Sequence, residues 1–73
     1  MDRKRRTLNY KKNIALLAKL DWEYEYRIDC WEYHFSGENE PARISGAFTH
    51  GVTPEDFERA VKNLYMMRQV KYG

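Results

Sequence analysis

One stretch, WEYEYRIDCWEYHF at residues 22–35, constrains the fold of this chain more than any other. Its apolar residues stand at even positions first and at odd positions afterwards. The even set is Trp22, Tyr24, Tyr26, Ile28 and Cys30, and the odd set is Trp31, Tyr33 and Phe35. Alternation with this density of aromatic residues predicts a β-strand. Because successive side chains point to opposite faces of a strand, the change near Cys30 leaves large rings on both faces. Something must cover the second set of rings.

The length of 73 residues allows one domain. A single core of this size gives only about 3–5 kcal/mol of stability. Cys30 is the only cysteine, which excludes an internal disulfide and predicts a reducing, cytoplasmic location. No apolar run approaches the roughly 18 residues that span a membrane. The basic start MDRKRRTLNYKK precedes no pure apolar run, so we do not expect a signal peptide.

Charge is unevenly distributed along the chain. Residues 1–19 carry +6, residues 20–58 carry −8 and residues 59–73 carry +4, which gives the net charge of +2. One interpretation is internal complementarity, in which basic helices lie near an acidic sheet. The other is a basic arm that binds nucleic acid. We favour the first, because a dedicated nucleic-acid-binding domain is usually basic throughout.

The pattern along the chain predicts an α+β fold in the order αββα. Residues 1–7 form a flexible basic arm and residues 8–73 a single domain, in which an antiparallel β-hairpin or small sheet packs against two helices. The first helix runs from about Asn9 to Leu20 and is capped by Asn9 or Thr7. Strands follow at 22–35 and 43–50, with Gly46 marking a bulge or a close approach. The second helix begins after Thr53 and Pro54 and runs to about Val70.

A hairpin across the polar turn at 36–42 pairs Phe35 with Arg43 and directs the even positions, including Tyr24, Tyr26 and Ile28, towards the core. The odd rings then lie on a solvated face. Three coverings stay open: a bulge near Asp29 that returns the rings to the core, a second copy of the chain, or a different protein. We predict a protein interface at the odd rings, with two helix residues as lesser candidates. These residues are Trp31, Tyr33, Phe35, Met66 and Val70.

The sequence contains no recognisable catalytic or metal-binding pattern. Cys30 and His34 would be about 13 Å apart along a strand, whereas zinc holds its ligands at about 2.0–2.3 Å. There is no phosphate-binding glycine motif. We therefore expect no catalytic residue, metal, cofactor or small-molecule substrate, and no enzymatic activity.

The sequence-based hypothesis is a non-enzymatic protein–protein interaction module that forms a homodimer or other homo-oligomer. In size and ring-rich composition the chain resembles small orphan proteins from phages and mobile elements, many of which act by binding a host protein. That resemblance is one of type, and it implies a regulator or inhibitor. The alternative is nucleic-acid binding, with the sheet aromatics stacking on bases. The basic residues assigned to that role are Arg3, Lys4, Arg5, Arg6, Lys11 and Lys12.

Overall fold

The structure, a computed structural model, describes residues 3–73, without the side chains of Arg3 and Arg5. It confirms the predicted α+β class, with helices packed against a small antiparallel sheet. The chain order is αβββαα, one strand and one helix more than predicted. The elements are α1 Arg3–Lys19, β1 Glu23–Glu25, β2 Cys30–Tyr33, β3 Ala42–Ser45, α2 Gly46–Gly51 and α3 Pro54–Met67. The sheet order is β1-β2-β3.

Helix α1 begins at Arg3 rather than at the predicted Asn9. Residues 3–7, which we predicted to be a flexible arm, are helical, and Met1 and Asp2 lie outside the described residues. Arginine and lysine are strong helix formers, and no glycine or proline interrupts the segment. Its basic residues therefore continue the helix instead of preceding it.

The end of α1 is a Schellman motif. Asp21 adopts a left-handed conformation with φ 68°. The backbone N–H of Trp22 donates to the Leu17 carbonyl at 2.9 Å, and that of Asp21 donates to the Ala18 carbonyl at 3.1 Å. This 6→1 and 5→2 pair satisfies the terminal carbonyls of a helix. The motif delivers Trp22 into the core beside Leu17.

The predicted single strand at 22–35 is two strands joined by a tight turn at 26–29. Tyr24 pairs with Trp31, and Glu25 pairs with Cys30. In this register an even position on β1 always faces an odd position on β2. The change of apolar parity near Cys30 therefore marks a reversal of the chain, and neither a bulge nor a second ring-bearing face is present in the described sheet.

The register of the second hairpin also differs from the prediction. Tyr33 pairs with Ala42 and Glu32 with Arg43, so the predicted pairing of Phe35 with Arg43 is wrong. The two faces of the sheet follow from the observed pairs. The inner face carries Tyr24, Trp31, Tyr33, Ala42 and Ile44, and the outer face carries Glu23, Glu25, Cys30, Glu32, Arg43 and Ser45.

The predicted strand at 43–50 ends at Ser45 and gives way to helix α2. The Ser45 hydroxyl accepts a hydrogen bond from the Ala47 N–H at 3.2 Å, as an N-cap residue does. The predicted close approach at Gly46 is confirmed, because its N–H donates to the Asp29 carbonyl at 2.8 Å. A Cβ at this position would clash with the Asp29 carboxylate. The β1–β2 turn thus packs directly on the start of α2.

Helix α3 begins as predicted and ends three residues earlier, at Met67 instead of about Val70. Thr53 is its N-cap and accepts a hydrogen bond from the Asp56 N–H at 3.3 Å. A second Schellman motif ends the helix. Gln69 is left-handed with φ 54°, and the Val70 N–H donates to the Tyr65 carbonyl at 3.1 Å.

The core lies between the inner face of the sheet and the helices. Its buried apolar residues are Leu17, Leu20, Trp22, Phe35, Ala42, Ile44, Phe57, Val61 and Tyr65. The Trp22 Nε1–H donates to the Tyr65 hydroxyl at 3.0 Å inside this cluster. Asn13 is buried as well, and its Nδ2 donates to the Thr49 and Val52 carbonyls at 3.0 and 3.1 Å. This amide ties α1 to the end of α2. None of the helices in residues 3–73 is both long and apolar enough to cross a membrane.

Candidate protein-binding surface at the β1–β2 hairpin

The three odd rings predicted to form an exposed interface lie on the core side of the sheet. Phe35 is only 4% exposed. Tyr33 is half-buried, with its ring centroid 5.4 Å from that of Trp22 and 4.9 Å from that of Phe35. Trp31 is half-buried and packs against the same cluster. The expectation that all three rings are exposed is therefore wrong, because the hairpin reversal places them on the inner face.

The two lesser candidates occupy different environments. Met66 is 60% exposed on α3. Val70 is half-buried, packs against the core and belongs to the motif that ends α3. Met67, which was not among the predicted interface residues, is 78% exposed.

Three of the residues predicted to face the core are instead exposed. Tyr24 is 47% exposed, Tyr26 74% and Ile28 49%. The Arg27 guanidinium carbon lies 5.9 Å from the centre of the Tyr26 ring. We refer to residues 24–29 as the hairpin tip. This site was not predicted from the sequence. The signal that could have revealed it is the change of apolar parity, which is explained by a turn between the even and the odd apolar residues.

Asp29 holds the hairpin tip in one conformation. Its carboxylate accepts a hydrogen bond from the Tyr24 hydroxyl at 2.5 Å, and its carbonyl accepts one from the Gly46 N–H at 2.8 Å. The hydrogen bond to Asp29 raises the pKa of Tyr24. Asp29 itself is left-handed with φ 51°, a conformation that aspartate tolerates better than most residues. The backbone N–H of Arg27 donates to Glu25 Oε1 at 3.1 Å. The exposed side chains therefore project from a fixed turn.

The outer face of the sheet is polar and mainly acidic. Glu23 stands directly opposite Glu32 in the register. Arg43, on the next strand, contacts Glu32 at 2.7 Å. A cleft of about 290 Å³ lies beside this pair, lined by Asp21, Glu23, Glu32, Tyr33 and His34. Within residues 3–73, no group of three or more histidine, cysteine or acidic side chains is arranged to hold a metal ion.

A second concavity, an apolar groove of about 360 Å³, lies between β3 and α3. It is lined by Arg43, Ile44, Ser45, Phe48, Ala60, Val61 and Leu64. Arg43 is its one titratable lining residue, and that side chain is paired with Glu32. The groove offers no pair of groups for general acid–base chemistry, which needs a positioned proton donor or acceptor.

The predicted nucleic-acid-binding residues all lie on α1. Lys4, Arg6, Lys11 and Lys12 are exposed, and the side chains of Arg3 and Arg5 are outside the described atoms. The segment Arg3–Lys19 contains seven lysines and arginines and no acidic residue. The aromatic half of that hypothesis is weakened, since Phe35 is buried and Tyr33 packs into the core.

No family model, curated protein or solved structure matches this chain.

Proposed function

We propose that this protein is a non-catalytic protein-binding module and that the hairpin tip is a contact surface for a partner protein. The observation that supports this most directly is the exposure of Tyr26 and Ile28 on a turn fixed by Asp29. Turns are usually built from glycine, proline, asparagine, aspartate and serine. A turn that exposes a tyrosine and an isoleucine is therefore unusual for a purely structural connection.

The hairpin tip is preorganised for binding a partner. Tyrosine offers a large contact area with few rotatable bonds, and tyrosine and arginine are enriched among residues that dominate binding energy. A turn already fixed by hydrogen bonds loses little conformational entropy on binding. Tyr26 and Ile28, with Arg27 between them, fit an apolar depression on a partner that also presents an acidic group. A cytoplasmic location belongs to this proposal and is supported by the free thiol of Cys30. A regulator or inhibitor of a host protein is its narrower form.

The test compares two double variants with matched loss of exposed apolar surface. The tip variant, Tyr26→Ser with Ile28→Ser, removes two apolar side chains from the hairpin tip. The methionine variant, Met66→Ser with Met67→Ser, removes two exposed side chains from α3. A partner captured from the native host should be retained by the wild type and by the methionine control. After purification, its Kd should rise about tenfold or more for the tip variant, as expected for a binding hot spot.

Other binding results would relocate the proposed contact surface or contradict it. Equal affinity for the wild type and the tip variant would remove the tip from the binding surface. Loss of affinity only in the methionine variant would move the surface to α3. A wild type that retains no protein from its host would contradict the protein-binding proposal as a whole.

The second candidate function is nucleic-acid binding through α1, and the absence of acidic residues over Arg3–Lys19 favours it. It predicts retention on single-stranded DNA that decreases steeply with salt, because bound phosphates release counterions. The variant Lys11→Glu with Lys12→Glu should abolish that retention, whereas the tip variant should keep it. A wild type that fails to bind at low salt would exclude this function.

A further inference from the structure

We infer that the protein self-associates by docking the basic surface of α1 on the acidic outer face of the sheet in a second copy. This inference rests on the proposed function for its class, protein binding, but it uses different surfaces and names a second copy as the partner. Lys11, Lys12 and Lys19 on α1, and Glu23 and Glu25 on the sheet, have no ion pair among the described residues.

The first surface is the side of α1 that faces away from the core. At 3.6 residues per turn, Lys11, Lys12 and Lys19 lie on the side opposite the buried Asn13 and Leu17. All three lysines are exposed and none takes part in an ion pair within the described part of the chain. Leu8, 57% exposed, and Ala15 lie on this same side. The surface is therefore basic and shallow, with an apolar centre.

The second surface is the outer face of the sheet, on which Glu23, Arg43 and Ser45 are exposed and Glu25, Cys30 and Glu32 are half-buried. The direct pairing of Glu23 with Glu32 places two like charges opposite each other, which is unfavourable across strands. Arg43 compensates Glu32 at 2.7 Å. Glu23 has no ion pair among the described residues, and neither has Glu25. A positive surface placed here would relieve this repulsion.

The ion pairs among the described side chains do not include Lys11, Lys12, Lys19 or Glu23. They join Arg43 to Glu32, Arg59 to Asp56, and Arg68 to Glu38. Among the described residues, no ion pair joins Lys11, Lys12 or Lys19 of α1 to the sheet. Between copies the same charges are complementary. A second copy of the chain is thus a partner that carries the surface complementary to each of these two.

The contact is heterologous, because a helix of one copy meets the sheet of another. Exposed ion pairs are individually weak, and salt screens them over about 10 Å at 0.1 M and about 3 Å at 1 M. Association is therefore expected at low ionic strength and high protein concentration, and it should disappear at high salt.

Two charge-reversed variants test the inference. The sheet variant is Glu23→Lys with Glu25→Lys, and the helix variant is Lys11→Glu with Lys12→Glu. Sedimentation equilibrium on nuclease-treated protein, at about 0.02 M and about 0.5 M salt, measures the association. Wild type should associate only at low salt, and each variant alone should weaken association at least about tenfold. An equimolar mixture of the two should associate again, because each reversed surface then meets an oppositely charged one. Circular dichroism confirms that each variant is folded.

Several results would overturn the inference. These are a wild type that stays monomeric at low salt, a variant that associates like the wild type, or a mixture that stays monomeric. The tip variant Tyr26→Ser with Ile28→Ser should associate normally. If it alone abolishes association, the copies meet through the hairpin tip, so this inference fails while the proposed function stands. Failure of the tip to bind a partner leaves the charge-swap result unaffected.

Discussion

The Tyr65 hydroxyl accepts a hydrogen bond from the Trp22 Nε1–H at 3.0 Å, and both side chains are at most 5% exposed. Tyr65→Phe keeps the ring and removes the acceptor, which leaves a buried donor unpaired. We expect the free energy of unfolding to fall by about 1–3 kcal/mol, the usual cost of such a group. Urea unfolding measures it. Tyr26→Phe is the control, because that hydroxyl belongs to a side chain 74% exposed and its loss should change stability by less than about 0.5 kcal/mol.

Unchanged stability in Tyr65→Phe would mean that the Trp22 N–H finds another acceptor. Because the donor is buried, that acceptor would have to be a water molecule admitted to the core. The two tyrosine variants thus separate a structural hydroxyl from an exposed one.

Alkaline pH should destabilise the protein through Tyr65, which is buried, and Tyr72, which is half-buried. Burial raises the pKa of Tyr65, and burial together with Glu58 raises the pKa of Tyr72. A group whose pKa is higher in the folded state stabilises fully below its unfolded pKa, about 10 for tyrosine. That stability is lost as the pH rises through the folded pKa, since the unfolded chain releases its proton first.

Tyr72→Phe tests this at a position where the ring contact with Tyr65, 5.5 Å between centroids, can be kept. Urea unfolding between about pH 8 and pH 11 should show a shallower alkaline decline for the variant than for the wild type. Lysines also titrate in this range, so the difference between the two proteins is the informative quantity. Parallel curves would mean that Tyr72 is ionised equally easily in both states.

At the scale of the elements, the contact between the β1–β2 turn and the start of α2 depends on Gly46. An added Cβ would clash with the Asp29 side chain and would lie 3.1 Å from the Asp29 carbonyl oxygen. Asp29 has little freedom to move, because Tyr24 and the Gly46 N–H both donate to it. Gly46→Ala should cost about 1–3 kcal/mol through overpacking, which exceeds the gain in helix propensity of roughly 0.5–1 kcal/mol.

Gly51 provides the matched control for this prediction. A Cβ there meets nothing within 4 Å. Gly51→Ala should therefore be neutral or stabilising by up to about 1 kcal/mol. If the two alanine variants unfold at the same urea concentration, the packing of the turn on α2 contributes nothing to stability.

The elements with strong local sequence signals were predictable. The others depend on contacts between separate segments of the chain. Thr53 and Pro54 placed the start of α3 correctly, because capping is a local interaction. The turn at 26–29 contains no glycine, proline or asparagine, so its local signals were only Asp29 and the change of apolar parity. Helix α2 was missed because Phe48 and Thr49 favour strands and six residues are too few for a visible helical period.

The candidate site could not be predicted for the same reason. Tyr24, Tyr26 and Ile28 alternate with charged residues as core-facing strand residues would, and only the position of the reversal exposes them. An error of a few residues in that position exchanges the exposed and buried rings. Composition identified how many aromatic residues needed covering, but not which of them remained uncovered.

For the molecule as a whole, the exchange of exposed and buried rings gives the most decisive prediction. A 73-residue domain has only about 3–5 kcal/mol of stability from a single core. Truncating a buried phenylalanine to alanine costs about 3–5 kcal/mol. Phe35 is 4% exposed, packs edge-on against Tyr65 at 5.0 Å and lies under the Arg68 guanidinium at 4.6 Å. Phe35→Ala should therefore leave most of the chain unfolded at 25 °C.

Tyr26→Ala removes a ring of similar size from the hairpin tip, where it is 74% exposed. This variant should keep the far-ultraviolet circular dichroism and the cooperative urea transition of the wild type, because surface substitutions change stability by about 0.5 kcal/mol or less. The opposite pattern, a cooperatively folded Phe35→Ala beside an unfolded Tyr26→Ala, would return the odd rings to the surface. The interface would then move from the hairpin tip to the face of the sheet that carries Trp31 and Tyr33, because a ring that can be deleted without unfolding such a small domain is not part of its core.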